Sequence, residues 1–165
     1  MSKRVALVTG GMGGLGTAIC RALSENGFVV AANCLPGFAQ REEWLAKNQA
    51  EGFAFHAAEG NVAEFDSCAG MIGRLEAELG PVDVLVNNAG ITRDNLLLRM
   101  KDDEWDQIMA TNLRSVFVLS KLVLRPMMKA RWGRIVNVTS VVGHLGNAGQ
   151  ANYAAAKAGV AGFAK

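Results

Sequence analysis

Short apolar runs alternate with longer amphipathic stretches along the whole chain. Five apolar runs are predicted to be strands: Val5–Thr9, Phe28–Asn33, Phe53–His56, Val82–Asn87 and Arg134–Val138. The stretches between them predict helices near Gly14–Asn26, Gln40–Glu51, Glu64–Leu79 and Asp102–Arg131, with a final helix from about Asn152. Because the strands are apolar without polar alternation and helices separate them, the pattern predicts an α/β fold with a doubly wound, Rossmann-like parallel sheet. Ligands of such sheets bind at the carboxyl ends of the strands.

Composition and charge narrow the class of protein. The 165 residues suit one domain, residues 1–165, and half of them are hydrophobic. A net charge of +2 is too weak to indicate nucleic-acid binding. No apolar run reaches the length of a secretory signal or a membrane span, so a cytoplasmic protein without membrane contact is expected. Three cysteines without metal-type spacing favour free thiols in a reducing compartment and no metal site.

A glycine-rich turn follows the first predicted strand and runs directly into a helix. Backbone N–H groups at such a helix start form an anion site suited to a pyrophosphate. Two spacings fit the segment TGGMGGLG: Gly11-x-Gly13-x-x-Gly16, and the narrower Gly10-x3-Gly14-x-Gly16. A plain tight loop is the alternative, but the strand–turn–helix setting favours a dinucleotide cofactor.

The segment after the second strand bears on which dinucleotide is bound. An NAD site usually has an acidic residue there for the ribose 2′-hydroxyl, whereas here the first acid is Glu42. Arg41 stands where it could meet a 2′-phosphate, which favours NADP(H). After the third strand, Asn61 and Val62 could lie against the adenine, although Asn61 could equally cap the next helix. The NNAG segment after the fourth strand fits a cofactor contact or ordinary turn chemistry.

A tyrosine and a lysine one helical turn apart carry the candidate chemistry. Tyr153 and Lys157 share one face of the final helix, and Ser140 follows the fifth strand. An unperturbed phenol has a pKa of ~10, and an adjacent ammonium stabilises the phenolate that acid–base exchange near neutrality requires. Ser140 could donate a hydrogen bond that orients a carbonyl. The alternative is a surface Tyr–Lys pair without catalytic meaning.

With these motifs the chain resembles the short-chain dehydrogenase/reductase family over essentially its whole length. The motifs are TGGMGGLG, NNAG, Asn112 in ATNLRSVF, Ser140 and YAAAK. The earlier part of the chain resembles acetoacetyl-CoA reductases, and the later part resembles 3-oxoacyl-[acyl-carrier-protein] reductases. The resemblance implies NADPH-dependent reduction of a 3-oxoacyl thioester, carried by CoA or by acyl carrier protein, in polyhydroxyalkanoate or fatty-acid synthesis. A catalytically inactive cofactor-binding module, or a reductase of a sugar or steroid, is the alternative.

The resemblance also implies roles for individual residues. Tyr153 would donate the proton, Lys157 would stabilise its phenolate and bind the nicotinamide ribose, Ser140 would polarise the carbonyl, and Asn112 would hold a relay water. The implied cofactor contacts are Gly10, Met12, Gly13, Gly14, Leu15, Gly16, Arg41, Gly60, Asn61, Val62, Asn88, Ala89, Gly90, Ile91, Tyr153 and Lys157. The implied substrate contacts are Asp94, Ser140, Asn147, Gln150 and Tyr153.

Three features depart from the family pattern or extend it. Gly13 replaces an arginine that is often present in the glycine loop of the carrier-protein branch. The resemblance implies that family members continue for roughly eighty further residues. A chain ending at Lys165 is therefore expected to leave the sheet incomplete at its C-terminal edge and to be poorly soluble and inactive alone. The complete protein is expected to be a homotetramer. Lys129, Arg131 and Arg134 could dock an acidic carrier protein, or they could simply complement a helix end.

Overall fold

Five parallel strands form the central sheet. The structure, a computed structural model, describes residues 3–165. The sheet order is β3-β2-β1-β4-β5, with β1 at Val5–Val8, β2 at Val29–Cys34, β3 at Phe55–Glu59, β4 at Val82–Asn87 and β5 at Arg134–Asn137. From β1 the chain builds outward first through β2 and β3 and then through β4 and β5, so the strand order reverses beside β1. The predicted α/β fold with a parallel, Rossmann-like sheet is confirmed.

Helices connect the strands and cover the sheet. They are α1 (Gly14–Glu25), α2 (Arg41–Ala50), α3 (Phe65–Leu79), α4 (Asp102–Met109), α5 (Ser115–Ala130), α6 (Val142–Leu145) and α7 (Ala151–Phe163). A 3-10 turn lies at Leu97–Arg99, and a π turn at Ala110–Arg114 joins α4 to α5. In the part of the chain that the structure describes, no helix is both long enough and apolar enough to cross a bilayer.

Alternating side chains of β1 divide the core into two layers. Leu7 packs on one side of the sheet in a cluster with Met71 of α3 and Leu119 of α5. Ala6 and Val8 pack on the other side, in the cluster that α1 and α2 cover. All four residues of β1 are buried, and five of the six in β4 are buried, as parallel strands covered on both faces require. The point beside β1 at which the strand order reverses therefore lies between two strands, β1 and β4, that are almost completely buried.

The edge strand β5 is far less covered. Its residues alternate between exposed and half-buried, and 49% of Val136 is accessible. Within residues 3–165 it pairs only with β4. This edge of the sheet therefore leaves apolar surface of Val136 in contact with solvent.

Two predicted elements are wrong in detail. The third strand begins and ends later than predicted, because Ala57, Ala58 and Glu59 pair with β2 although their types have weak β-propensity. The helix predicted as continuous from Asp102 is interrupted by the π turn. There the Ser115 N–H donates to the Ala110 carbonyl, and the Thr111 carbonyl accepts the Ser115 hydroxyl at 2.6 Å instead. That exchange leaves no simple trace in the apolar pattern.

Candidate active site

Two adjoining cavities lie at the carboxyl ends of the strands. The first has a volume of about 400 Å³, and the second, of about 550 Å³, contains Tyr153 and Lys157. Leu15, Asn88 and Gly90 line both, so the cavities share a wall and form one cleft across the switch point. Nine predicted cofactor residues line the first cavity: Gly10, Met12, Gly13, Gly14, Leu15, Gly16, Asn88, Ala89 and Gly90. Ile91 lines the second cavity.

The glycine turn is shaped by close backbone approach at its two ends. Gly10 has a φ of 59°, which side-chain-bearing residues rarely adopt, and it lies against Ala89. A Cβ on Gly16 would stand 2.2 Å from the Gly10 carbonyl oxygen, so only glycine allows α1 to start this near the turn. A Cβ on Gly14 would meet nothing within 4 Å. Gly14 is the first residue of α1 and borders the cavity, which leaves the N-terminus of that helix open to an anion.

A buried threonine joins the glycine turn to the NNAG segment. The Thr9 hydroxyl accepts the backbone N–H groups of Asn88 and Ala89, each at 2.9 Å. The Asn88 side chain returns a hydrogen bond to the Thr9 carbonyl at 2.9 Å. This segment therefore joins the ends of β1 and β4 and also lines the cleft, while its contact with a cofactor stays a prediction.

The Tyr153–Lys157 pair lies where α7 faces the second cavity. Lys157 is buried, and its Nζ donates to the Val138 carbonyl at 2.7 Å and lies 5.8 Å from the centroid of the Tyr153 ring. Burial lowers the pKa of the Lys157 ammonium below its ordinary value. Both side chains line one cavity, which makes a surface pair without function a poor description of them.

Asn112 lies in the π turn and is almost completely buried. Its Oδ1 accepts the Ile91 N–H at 2.9 Å, and its Nδ2 donates to the Ile91 carbonyl at 2.8 Å. The side chain thereby clamps one peptide unit next to the cleft. Both polar ends of the amide are committed to Ile91, so a relay water held by this residue remains a prediction that its side chain does not by itself support.

The family of the protein follows from this arrangement and from comparison with known proteins. Residues 4–165 match the family model of the short chain dehydrogenases. The chain belongs to the short-chain dehydrogenase family. One cleft brings together the glycine turn, the NNAG segment, Tyr153 and Lys157, as the resemblance to this family predicts.

Curated relatives of this short-chain dehydrogenase include three whose names bear on its chemistry. Nodulation protein G of Azospirillum brasilense is 56% identical over 165 residues, which are 100% of this chain and 67% of the relative. Acetoacetyl-CoA reductase of Cupriavidus necator is 51% identical, over 99% of this chain and 66% of the relative. 3-oxoacyl-[acyl-carrier-protein] reductase of Vibrio cholerae is 54% identical, over 100% and 66%. The chain spans about two thirds of the length of these relatives.

The residues of this short-chain dehydrogenase that were predicted to contact the adenosine lie behind the lining of the first cavity, where Gly60 bonds to Asn33 and Cys34. Gly60, Asn61 and Val62 do not line it. Val62 is buried in the core, and the Asn61 side chain accepts the Ala63 N–H at 3.1 Å and donates to Glu64 at 2.7 Å. Asn61 thus forms a local turn ahead of α3 and does not cap that helix, whose N-cap residue is Glu64, so the capping alternative is wrong, while Val62 is a core residue.

Arg41 begins α2 beside the first cavity but is not free. Its guanidinium pairs with the carboxylates of Glu59 and Glu42. Phe38, which lines the cavity, accepts the Arg41 backbone N–H through its carbonyl at 3.1 Å. Arg41, the residue predicted to bind a 2′-phosphate, therefore lies beside the first cavity, and the carboxylates of two acids already compensate its charge. We call this part of the cleft, around Arg41 and Cys34, the adenosine end.

Of the predicted substrate residues only Tyr153 lines the second cavity; the rim residues, as Asp94, Asn147 and Gln150 are called here, contact one another instead. Gln150 donates to both carboxylate oxygens of Asp94, at 3.1 and 3.0 Å, and accepts from the Asn147 amide at 2.9 Å. The Ser140 hydroxyl accepts the Val142 N–H at 3.2 Å. The structure brings Asp94, Asn147 and Gln150 together but lines the second cavity with none of these four side chains.

The basic cluster lies at the amino end of β5, away from the cleft, and its docking of a carrier stays a prediction. Arg134 begins β5, and Tyr153 lies beyond the carboxyl end of that strand, on the order of 15 Å away for a four-residue strand and its following turn. Lys129 occupies the last turn of α5, where a cation complements the helix dipole. This position favours the helix-end alternative.

Two buried amides that sequence reasoning missed organise the cleft. Asn33 lines the first cavity; its Oδ1 accepts the Gly10 N–H at 3.1 Å, and its Nδ2 donates to the carbonyls of Ala58 and Gly60 at 3.0 and 2.9 Å. Asn152 accepts the Tyr153 N–H at 2.8 Å and donates to the Arg93 carbonyl at 3.0 Å. An amide at the end of an apolar strand, and one beside the tyrosine, were the available signals.

The residues present fit a nicotinamide dinucleotide. The open helix start at Gly14 suits a pyrophosphate, and the second cavity places Tyr153 and Lys157 where the other half of the molecule would reach. Among residues 3–165, every side chain that lines the first cavity is uncharged. The acid that usually holds an NAD ribose from the end of β2 is therefore not in that lining.

Proposed function

We propose that this chain carries the cofactor-binding and catalytic elements of an NADPH-dependent reductase of 3-oxoacyl thioesters. The product is the 3-hydroxyacyl thioester, with CoA or acyl carrier protein as the carrier, in polyhydroxyalkanoate or fatty-acid synthesis. The observation that carries the proposal is the single cleft in which the Tyr153–Lys157 cavity shares a wall with the glycine-turn cavity. The reductase names of two relatives give the substrate class. A homotetramer is proposed for the whole protein.

The residues divide the work along the cleft. Gly10, Gly14 and Gly16 line the pyrophosphate at the α1 N-terminus, and Asn88, Ala89 and Gly90 contact the ribose on the nicotinamide side. When bound, NADPH supplies the hydride that goes to C3 of the substrate. Tyr153 gives its phenolic proton to the carbonyl oxygen, and the Lys157 ammonium stabilises the phenolate that remains.

Ser140 and the rim residues act on the substrate side of this proposal. The Ser140 hydroxyl donates to the substrate carbonyl and polarises it, while Asp94, Asn147 and Gln150 contact the thioester. These roles require the side chains to turn from their present partners toward the second cavity. The Asp94–Gln150 contact is exposed, so it can exchange for substrate at little free-energy cost.

A Tyr153→Phe variant tests the catalytic assignment. Acetoacetyl-CoA-dependent oxidation of NADPH should fall at least about 100-fold, because general acid catalysis contributes ~10²–10⁴. Binding of NADPH, followed by cofactor fluorescence, should stay unchanged. The assay is made on this chain and on a chimera completed with the remaining third of the Cupriavidus necator relative. Lys157→Met should also lose turnover, whereas Lys129→Met, at the other end of the sheet, is the matched control. Retained turnover in Tyr153→Phe would refute the role of the phenol.

A cofactor-binding module without catalysis is the second candidate. It is favoured by the position of Ser140, whose hydroxyl accepts from Val142 and does not line the cavity with Tyr153. Fluorescence of NADPH with and without acetoacetyl-CoA separates the two. Binding that is not followed by oxidation, in both the chain and the chimera, would favour the module.

A further inference from the structure

Glu59 holds an acidic side chain at the adenosine end of the cleft. It is the last residue of β3 and pairs in register with Cys34 of β2, which lines the first cavity. Its carboxylate is partly covered, with 34% of the side chain accessible. The Arg74 guanidinium donates to its backbone carbonyl at 2.7 Å, which fixes the main chain there. The acid expected on β2 of an NAD site is missing, and an acid on the neighbouring strand stands next to that position.

The carboxylate of Glu59 is paired with the arginine proposed to bind a 2′-phosphate. Arg41 directs Nη1 to Glu59, whereas its Nε and Nη2 bind Glu42 at 2.8 and 2.6 Å. All three guanidinium nitrogens thus face carboxylate oxygens. Glu42 is 75% exposed, so solvent screens it more strongly than Glu59.

The charges of Glu59 and Arg41 both act on the thiol of Cys34, which lines the first cavity. Burial is the main cause that raises the pKa of the Cys34 thiol; the Glu59 carboxylate raises it further and the Arg41 guanidinium lowers it. The lining itself carries no charge in the part of the chain described. Arg41, Glu42 and Glu59 together bring one positive and two negative charges to this end of the cleft.

We propose that Glu59 reduces the preference of the cofactor site for NADPH over NADH by competing with the 2′-phosphate for Arg41. The inference rests on the proposed cofactor site. A phosphate monoester carries about −1.5 to −2 charges, and to pair with Arg41 it must displace the Glu59 carboxylate from the guanidinium. A ribose 2′-hydroxyl carries no charge and can donate to a carboxylate. Glu59 is thus a specificity-determining residue that acts through Arg41.

Two nucleotide fragments test this without a catalytic assay. Adenosine 2′,5′-bisphosphate and 5′-AMP differ only in the 2′-phosphate, and calorimetry gives the dissociation constant of each. Glu59→Gln should increase the affinity ratio of the bisphosphate to AMP about two- to fivefold, the range expected for partly exposed charge pairs. Glu59→Asp keeps the charge and should stay near the wild-type ratio. Glu42→Gln, the more exposed partner, should change the ratio less.

The Arg41→Met background completes the test. There Glu59→Gln should no longer change the ratio, because the competition requires the guanidinium. An unchanged or decreased ratio in Glu59→Gln, or an increase that persists in Arg41→Met, would overturn the inference. Circular dichroism and a second neutral variant, Glu59→Ser, show whether any loss comes from misfolding. If wild type bound neither nucleotide, the proposed cofactor site would itself fail and this inference with it, a result distinct from binding with an insensitive ratio.

Discussion

The two halves of the cleft are held by different kinds of structure. The glycine-turn half lies on β1, β2 and β4, whose side chains are buried, and its loops are joined through Thr9 and Asn33. The tyrosine half lies on α7 beside the edge strand β5, where Val136 is 49% exposed. Its positions depend on Asn152 and on the Lys157 bond to Val138. The first half is therefore part of the two core clusters that pack on the sheet, while the second is held by the buried Ala156 and Val160 of α7 together with these polar contacts.

The largest effect is expected from breaking the first half at Gly16. A Gly16→Ala variant places a Cβ 2.2 Å from the Gly10 oxygen, so α1 or the turn must move. We expect the free energy of unfolding in urea to fall by about 3 kcal/mol or more. Gly14→Ala is the control: its Cβ meets no neighbour within 4 Å, and stability should change by less than ~1 kcal/mol. Equal stability of the two variants would contradict the close approach.

A smaller effect should distinguish the two buried amides. Asn33→Ala leaves the Gly10 N–H and the carbonyls of Ala58 and Gly60 without this partner, and we expect a loss of about 2–3 kcal/mol together with loss of AMP binding. Asn152→Ala should cost about 1–3 kcal/mol and lower turnover while AMP still binds. Urea unfolding and calorimetry measure both. If Asn152→Ala lost AMP binding as Asn33→Ala does, the two halves would not be separable.

The smallest effect concerns Lys157 and pH. Burial lowers its pKa in the folded state below the ordinary 10.5, so the unfolded chain binds more protons between those two values. The burial penalty is therefore complete below the folded-state pKa and disappears as pH rises to the unfolded value. The stability of wild type relative to Lys157→Met should rise with pH across that window. Urea unfolding from pH 8 to 10.5 measures it, with Lys129→Met as the matched control; a flat or falling difference would contradict desolvation as the main cause.

Local pattern was sufficient for most of the fold. The strand Val82–Asn87 was predicted with its observed bounds, since a short run of valine and leucine, broken only by Asp83 and ended by amides, needs no distant information. The later bounds of β3 could not be predicted, because Ala57 and Ala58 form a strand only through pairing with β2. In the π turn the Ser115 hydroxyl, in place of the Ser115 backbone N–H, donates to the Thr111 carbonyl. The apolar pattern does not show which of these two donors is used.

The candidate site was predictable where one short segment carries the geometry. The glycine turn and the Tyr153–Lys157 spacing are of that kind, and the structure places both in one cleft. Asn33 and Asn152 were missed because the carbonyls of Gly60 and Arg93 to which they donate lie far along the chain. An amide at a strand end or beside a tyrosine is a signal, but it does not by itself distinguish a buried amide from a turn residue. Arg41 was identified, but its pairing with Glu59 required the adjacency of β2 and β3.

The sequence by itself determined the α/β order, the glycine turn and the one-turn spacing of Tyr153 and Lys157, because each depends on backbone periodicity and on side chains within a few residues. Only the tertiary structure decided which charges share the adenosine end, that the basic cluster lies at the opposite end of the sheet, and that Asn112 is committed to Ile91. These depend on which strands become neighbours. Burial of apolar faces selects that neighbourhood through contacts between distant segments, and no local pattern encodes it.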